Sequence, residues 1–254
     1  YVVNHNLQLA QNSFLQKIIL KFLYRIGTRF LLFESSHGMH TIRKITNNHQ
    51  EIIAPLFVSK EINISSEYDT KLINTINEFK SKNYILISIP GRPSFSKGSF
   101  NLLKNLIHFI ELNANSKFRF LVPNSLYKLI NLNHHIKEYF FCPPDDSQKY
   151  YHQIISLSDV ALFNYEYKYY YFRHSWVVLD CLSNKTAVIC PNFPLLNNMI
   201  NYPVNVGITF DKLNKLEYIL KNDLSHFWLN SIDWKTYLEE RNIKKIAKKI
   251  VSNI

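Results

Sequence analysis

The chain has 254 residues, 46% of them hydrophobic and 19% charged, and a formal net charge of +11. That length and balance suit a globular protein of one large domain or two smaller ones, and no apolar run approaches the roughly 20 residues that cross a bilayer. Its three cysteines, Cys142, Cys181 and Cys190, are odd in number and lack CxxC spacing, which argues against a disulfide framework or a zinc ribbon and fits a reducing cytoplasm.

In chain order, "YVVN" reads as a strand, residues 8 to 30 as a helix and "LLFES" (Leu31 to Ser35) as a strand, followed by a short helix and the strand "EIIAP". In the first helix Phe14, Leu15, Ile18, Ile19, Phe22, Leu23, Ile26 and Phe30 make one face, while Lys17, Lys21, Arg25 and Arg29 recur every fourth residue on the other. The pattern predicts a core-facing helix with a solvated basic edge. The alternative is an anionic membrane surface under residues 14 to 30, each basic residue being worth about 1 kcal/mol there. His37 and His40 in "HGMH" sit three apart with no third ligand nearby in sequence, so no metal is expected. Residues 61 to 83 are polar with one weak helical pattern, and the domain boundary is expected there, giving units 1–66, 67–225 and 226–254.

"YILISIP" (Tyr84 to Pro90) reads as a buried strand and "SFNLLKNLIHFIEL" as the helix after it. Between them, "IPGRPSFSKGSF" holds two of the chain's five glycines, Gly91 and Gly98, with Arg92 and Lys97 between. A strand, glycine loop and helix start aim backbone N–H groups and the helix dipole at one spot, where an anion is favoured. Arg92 adds a bidentate guanidinium and Lys97 a point charge. The spacing fits neither the dinucleotide-binding GxGxxG nor the P-loop. On spacing alone the loop reads equally well as a surface turn carrying two solvated basic residues.

Further on, "FRFLV", "EYFFC", "DVALFN", "TAVIC" and "VGITF" read as strands. Helices are expected from Ser125, over Ser147 to Ser158, over His174 to Asn184 and over Lys212 to about Asn222. Strands separated by single helices cannot pair as hairpins, so the expected class is α/β with a doubly wound parallel sheet. Arg173, His174 and Ser175 open the helix that carries Asp180 one and a half turns in; taken alone, Ser175 is its cap and Asp180 an exposed polar residue. The final segment sets Ile243, Ile246, Ala247 and Ile250 on one face against Lys244, Lys245, Lys248 and Lys249 on the other.

Together these segments resemble the GT-B glycosyltransferases, in particular their retaining, nucleotide-sugar-dependent, family 4-like group. Gly91, Arg92, Lys97 and Gly98 match that group's Gly-Arg and Lys-Gly positions, and Ser158-Asp159 its acidic strand start. "NKTAVICPNFP" and "VGITF", with Gly207, look like its later glycine motifs. Of its two glutamates, the second falls at Asp180 and the first at Phe172, and Arg173, His174 and Ser175 replace its loop glycines.

The resemblance implies a GT-B fold: a Rossmann-like nucleotide-sugar domain (67–225) preceded by the C-terminal part of an acceptor-side Rossmann-like domain (1–66), whose first part is expected to lie outside this sequence. Residues 226–254 are expected to pack back toward the first domain. It further implies a retaining hexosyltransferase that moves a sugar from a nucleotide-sugar donor to a glycan or lipid-linked acceptor, in cell-surface polysaccharide or glycolipid synthesis. His5 is then catalytic, matching the histidine that faces the donor sugar. Gly91, Arg92, Lys97, Gly98, Arg173, His174, Ser175 and Asp180 bind the donor, with no metal or other cofactor. Location is expected to be cytoplasmic, with peripheral attachment to the inner face of the membrane through the basic helix as the alternative to a core-facing helix. Two alternatives stand beside this: a catalytically inactive GT-B interaction subunit, prompted by Phe172, and a nucleic-acid-binding protein, prompted by the charge and sixteen tyrosines. No nucleic acid is expected, because "YEYKYYYF" is one cluster rather than aromatics interleaved with basic residues along a face.

Overall fold

The computed structural model describes residues 2–4, 13–25, 30–34, 51–56, 58, 70–129, 134–171 and 173–252. His5, His37, His40 and Phe172 lie outside the described residues. Strands β1 (Val2–Asn4), β2 (Phe30–Phe33) and β3 (Glu51–Ala54) form a parallel sheet in that order, with α1 (Phe14–Arg25) between β1 and β2. The expectation that α1 faces the core does not hold. Phe14, Leu15, Ile18, Ile19 and Phe22 are 47% to 80% exposed, because no described residue covers that side of the helix.

The chain then builds a second sheet. Helix α2 (Thr70–Ser81) leads to β4 (Ile85–Ser88), and α3 (Ser99–Leu112) to β5 (Phe118–Leu121) and β6 (Phe140–Phe141). Helix α4 (Gln148–Leu157) precedes β7 (Val160–Leu162), α5 (Trp176–Ser183) precedes β8 (Ala187–Pro191), and α6 (Pro194–Asn201) precedes β9 (Gly207–Phe210). All six strands are parallel in the order β6-β5-β4-β7-β8-β9. Strand order reverses between β4 and β7, and in such sheets ligands bind outside the strand C-terminal ends at that reversal.

Burial on both faces explains why these strands read as continuous apolar runs. Ile85, Ile87 and Ile89 of the β4 segment join Val160, Leu162 and Ile189 under Leu102, Leu106 and Phe109 of α3. On the opposite face Leu86 and Leu121 pack on Leu72 and Ile76 of α2 and Ile154 of α4, while Val188 and Cys190 pack on Val178 and Leu182 of α5 and Met199 of α6. Each fully buried side chain of this size is worth about 1.5–3 kcal/mol. The carboxylate of Asp159 accepts from Leu86 N at 2.8 Å and ties the start of β7 to β4, which gives the acidic strand start a structural role.

Three local readings change. The weak helical pattern in residues 61 to 83 becomes the 12-residue α2, because Leu72 and Ile76 find the sheet. The segment after β8, where no helix is expected, continues as α6, with Pro194 in its first turn and Leu195, Leu196, Met199 and Ile200 buried. The helix expected from Lys212 is a 3-10 turn (Leu213–Lys215), a short α segment (Leu216–Tyr218) and a π turn (Ile219–Asp223).

The C-terminal helices α7 (Trp234–Glu240) and α8 (Ile243–Val251) complete the chain, and α8 packs against β3. Arg241, between them, is fully buried and spends all five of its N–H donors. It reaches both oxygens of Glu34 (2.5 and 3.1 Å), the carbonyls of Leu56 (3.0 Å) and Asn198 (3.1 Å), and through Nε that of Tyr202 (2.9 Å). Glu34, just after β2, also accepts from Leu56 N (2.6 Å) and Asn198 Nδ2 (2.9 Å). The two sheets are thereby joined by one closed polar network.

Candidate functional site

Two loops meet at the strand-order reversal. After β4 the backbone turns through Gly91 (φ 86) and reaches α3 at Gly98 (φ 58), a left-handed cap with no side-chain oxygen to satisfy the helix start. After β7, Asn164 Nδ2 donates to Gly98 O (3.3 Å) and Glu166 N to Ser96 O (3.0 Å), so the loops are zipped together. A Cβ on Gly98 would lie 2.1 Å from the carbonyl oxygen of Asn164, so glycine is required there. A Cβ on Gly91 would meet Lys97 Nζ at 3.2 Å and Val177 at 3.6 Å, which places the amine beside the first glycine and the first turn of α5.

Lys97 Nζ donates to Arg92 O at 3.1 Å, and among the described residues no carboxylate pairs with it. Burial, and then the nearby guanidinium of Arg173, lower its pKa below the ordinary lysine range. Arg92 is exposed, and so is Arg173, whose guanidinium lies 5.2 Å from the ring centre of Tyr170. Two exposed arginines and a partly buried ammonium thus lie close to a backbone turn with which no carboxylate pairs among the described residues, an arrangement that favours a multiply charged anion.

Gly91, Arg92 and Lys97 line a cleft of about 500 Å³, a usual size for a small-molecule site. Val177 of α5, Tyr151 and Ile154 of α4, and the turn residues Pro123, Asp145, Asp146, Ser147 and Gln148 line it with them. Asp146 Oδ2 accepts from Ser125 N (3.1 Å) and Asp145 Oδ1 from Ser147 N (2.7 Å), which fixes the acidic turn over the start of α4. The Tyr151 hydroxyl donates to Asp180 Oδ2 at 2.7 Å, and burial, reinforced by that bond, raises its pKa, so it stays protonated.

The structure therefore brings Gly91, Arg92 and Lys97 into one wall, sets Gly98 beneath them and Arg173 close by, and connects Asp180 through Tyr151. His174 and Ser175 are buried at the start of α5 and do not line the cleft. Ser175 Oγ accepts from Val178 N (3.3 Å) and lies 2.5 Å from the Tyr165 hydroxyl, so it caps the helix, as its position alone suggests. Sequence reasoning missed Tyr151 and the "PPDDSQ" turn. The available signal was a capped helix start following a strand that ends on the same edge of the sheet.

No protein-family model matches the sequence, and no curated protein matches it. Solved structures do. Anabaena HepE, in complex with UDP and glucose, superposes with a TM-score of 0.66 at 10% identity, covering 98% of this chain and 70% of that one. A glycosyltransferase from Rickettsia africae gives 0.62 at 15% identity over 94% of this chain and 66% of that one. Sucrose-phosphate synthase from Thermosynechococcus elongatus gives 0.62 at 13% over 98% and 65%. The chain spans about two thirds of the length of these proteins. With its all-parallel sheet in Rossmann order and its match to glycosyltransferase structures over nearly its whole length, the chain has the GT-B glycosyltransferase fold.

Proposed function

We propose that this chain is the donor-binding part of a glycosyltransferase that takes a sugar from a nucleotide sugar. The observation that carries this reading is the cleft at the strand-order reversal, lined by Arg92 and Lys97, with which no carboxylate pairs among the described residues, and by Tyr151, which is bonded to Asp180. In glycosyl transfer the bond between the anomeric carbon and the diphosphate oxygen breaks, and negative charge grows on the departing diphosphate. Fixed positive groups placed where that charge appears lower the barrier. Lys97 and Arg92, with Arg173 beside them, supply such groups from the protein itself, in keeping with a metal-independent, retaining reaction with His5 facing the donor sugar. That the similar HepE structures hold UDP and, in one case, UDP-glucose supports a nucleoside diphosphate in the cleft.

The acceptor we propose is a glycan or lipid-linked sugar of cell-surface polysaccharide or glycolipid synthesis, with the enzyme cytoplasmic and peripheral on an anionic membrane. The exposed apolar residues of α1 beside exposed Lys17, Lys21 and Arg25 support the membrane contact. Co-sedimentation with phosphatidylserine vesicles, absent with phosphatidylcholine alone, tests it. The central test is release of nucleoside diphosphate from a panel of nucleotide sugars. Binding without turnover across the panel would instead favour an inactive interaction subunit, the reading prompted by Phe172. Absence of any nucleoside diphosphate binding would sink both.

A further inference from the structure

The nucleotide cleft makes no use of the tyrosine-rich segment "YEYKYYYF", whose tyrosines fall into two sets. Tyr165 and Tyr170 are buried and stacked, with ring centres 4.0 Å apart and planes 10° apart, and Tyr165 rests in turn on Phe163 (5.2 Å). That pair anchors the segment as it leaves β7. Tyr167 is 62% exposed, on the single helical turn Tyr167–Tyr170. Its ring centre lies 4.4 Å from that of Tyr171 and 5.9 Å from that of Phe193, the residue between β8 and α6, and the rings of Tyr171 and Phe193 are 5.7 Å apart. Rings from two loops thus gather into one aromatic shelf with Tyr167 out in water.

The shelf adjoins the cleft. β4, β7 and β8 are neighbours in the parallel sheet, so the loops that follow them leave the same edge. Glu166 N donates to Ser96 O (3.0 Å), which ties the tyrosine segment to the Gly91–Gly98 loop, and the segment runs on into α5, whose Val177 lines the cleft. In glycosyl transfer an acceptor hydroxyl has to reach the anomeric carbon of a donor whose diphosphate that loop holds, so the acceptor passes over this edge. One face of a sugar ring carries C–H bonds with partly positive hydrogens, which match the negative face of an aromatic ring. Tyrosine adds a hydroxyl for the sugar's own hydroxyls and loses little conformational freedom on contact. A lipid chain would be served as well by aliphatic side chains, and the shelf is made of rings. We infer that Tyr167, Tyr171 and Phe193 form a carbohydrate-binding shelf that holds a sugar ring of a glycan acceptor beside the donor cleft. This rests on the glycosyltransferase reading and adds to it the place where the acceptor is held.

The test is binding of the protein to an array of immobilised oligosaccharides of glucose, mannose, galactose, rhamnose and N-acetylglucosamine, with calorimetry on uridine and guanosine diphosphates run separately. At least one class of oligosaccharide is expected to bind. Tyr167→Leu and Phe193→Leu keep apolar bulk but remove the ring, and each is expected to weaken that binding by about two- to tenfold. Tyr167→Phe is expected to retain it, and nucleoside diphosphate affinity should be unchanged in all three. Melting temperature checks that the Phe193 variant is folded, and the exposed Tyr167 carries the test without it. Phe227→Leu is the control for general stickiness. Phe227 is 85% exposed and follows His226, whose ring nitrogen bonds Asn83 O (3.1 Å) just ahead of β4, at the opposite edge of the sheet. Absence of binding to every oligosaccharide overturns the inference, and so does binding that survives both leucine variants or falls equally in Phe227→Leu. Tighter binding of a single-stranded oligothymidylate, lost in the same variants, also overturns it and assigns the rings to base stacking. Oligosaccharide binding with no nucleoside diphosphate binding leaves the shelf and removes the donor reading, whereas the reverse removes the shelf alone.

Discussion

Arg241 and Lys97 are both cations withdrawn from water, yet they are placed in opposite ways. Arg241 sits where the two sheets join, with every N–H donor matched and a fully buried carboxylate opposite. Lys97 sits in the cleft with one carbonyl partner, a second cation nearby and open space in front. A buried charge whose valences are all filled can only hold structure together. A half-buried charge with donors to spare has a cost in the empty protein that a bound anion offsets, so the contrast separates the scaffold from the site.

The sharpest way to break the comparison is at the scaffold. Arg241→Met leaves Glu34 buried without its partner and is expected to lower stability by about 3–5 kcal/mol, read by urea unfolding. A loss below about 1 kcal/mol would mean that the network is incidental. The variant should still bind nucleoside diphosphate wherever it is folded, since no atom of the junction lines the cleft.

The two loop glycines provide the next effect. Gly98→Ala forces a left-handed conformation costing about 1–2 kcal/mol and drives a methyl into the Asn164 backbone, so melting temperature and nucleotide affinity should fall together. Gly91→Ala carries the same left-handed cost at φ 86, but its methyl meets only the flexible end of Lys97 and makes ordinary contact with Val177, so stability should fall less than in Gly98→Ala while affinity still falls. Equal profiles for the two variants would show that the loop is not divided between packing and ligand in this way.

Within the cleft, Lys97→Ala is expected to weaken nucleoside diphosphate binding by about ten- to a hundredfold, the worth of a hydrogen bond to a charged group, with an unchanged melting temperature. Arg92→Ala should follow with a smaller loss, because its guanidinium is exposed. Wild-type affinity in both variants, measured by calorimetry, would remove the phosphate-binding role.

Much of this scaffold was legible in the sequence because a parallel sheet buried on both faces forces runs such as Tyr84 to Pro90 to be apolar at nearly every position. Gly98 was legible too, since a glycine between strand and helix is rare in a chain with so few. What escaped depends on contacts between distant residues. Nothing near Glu34 signals Arg241, 207 positions away, and nothing near Tyr151 signals Asp180, 29 away. α1 was misjudged for a related reason. An apolar stripe records that a face is to be covered, and says nothing about whether the cover is part of the described fold. No helix was expected over Pro194–Asn201, yet a proline in a helix's first turn loses only an N–H that has no partner within the helix.

The smallest expected effect follows from the lowered pKa of Lys97. A bound diphosphate favours the ammonium, so as pH rises through that lowered value the free protein loses a proton that binding must restore. Affinity should therefore fall, and proton uptake on binding should grow, beginning at a lower pH than an ordinary lysine would give. Burial is the main cause of the shift and Arg173 the second. Arg173→Gln should accordingly move the fall to higher pH, whereas Lys97→Arg should abolish it, because a guanidinium keeps its proton throughout. Calorimetry in two buffers of different ionisation enthalpy counts the protons. Proton uptake that persists unchanged in Lys97→Arg would assign the titration to another group and leave Lys97 an ordinary surface amine.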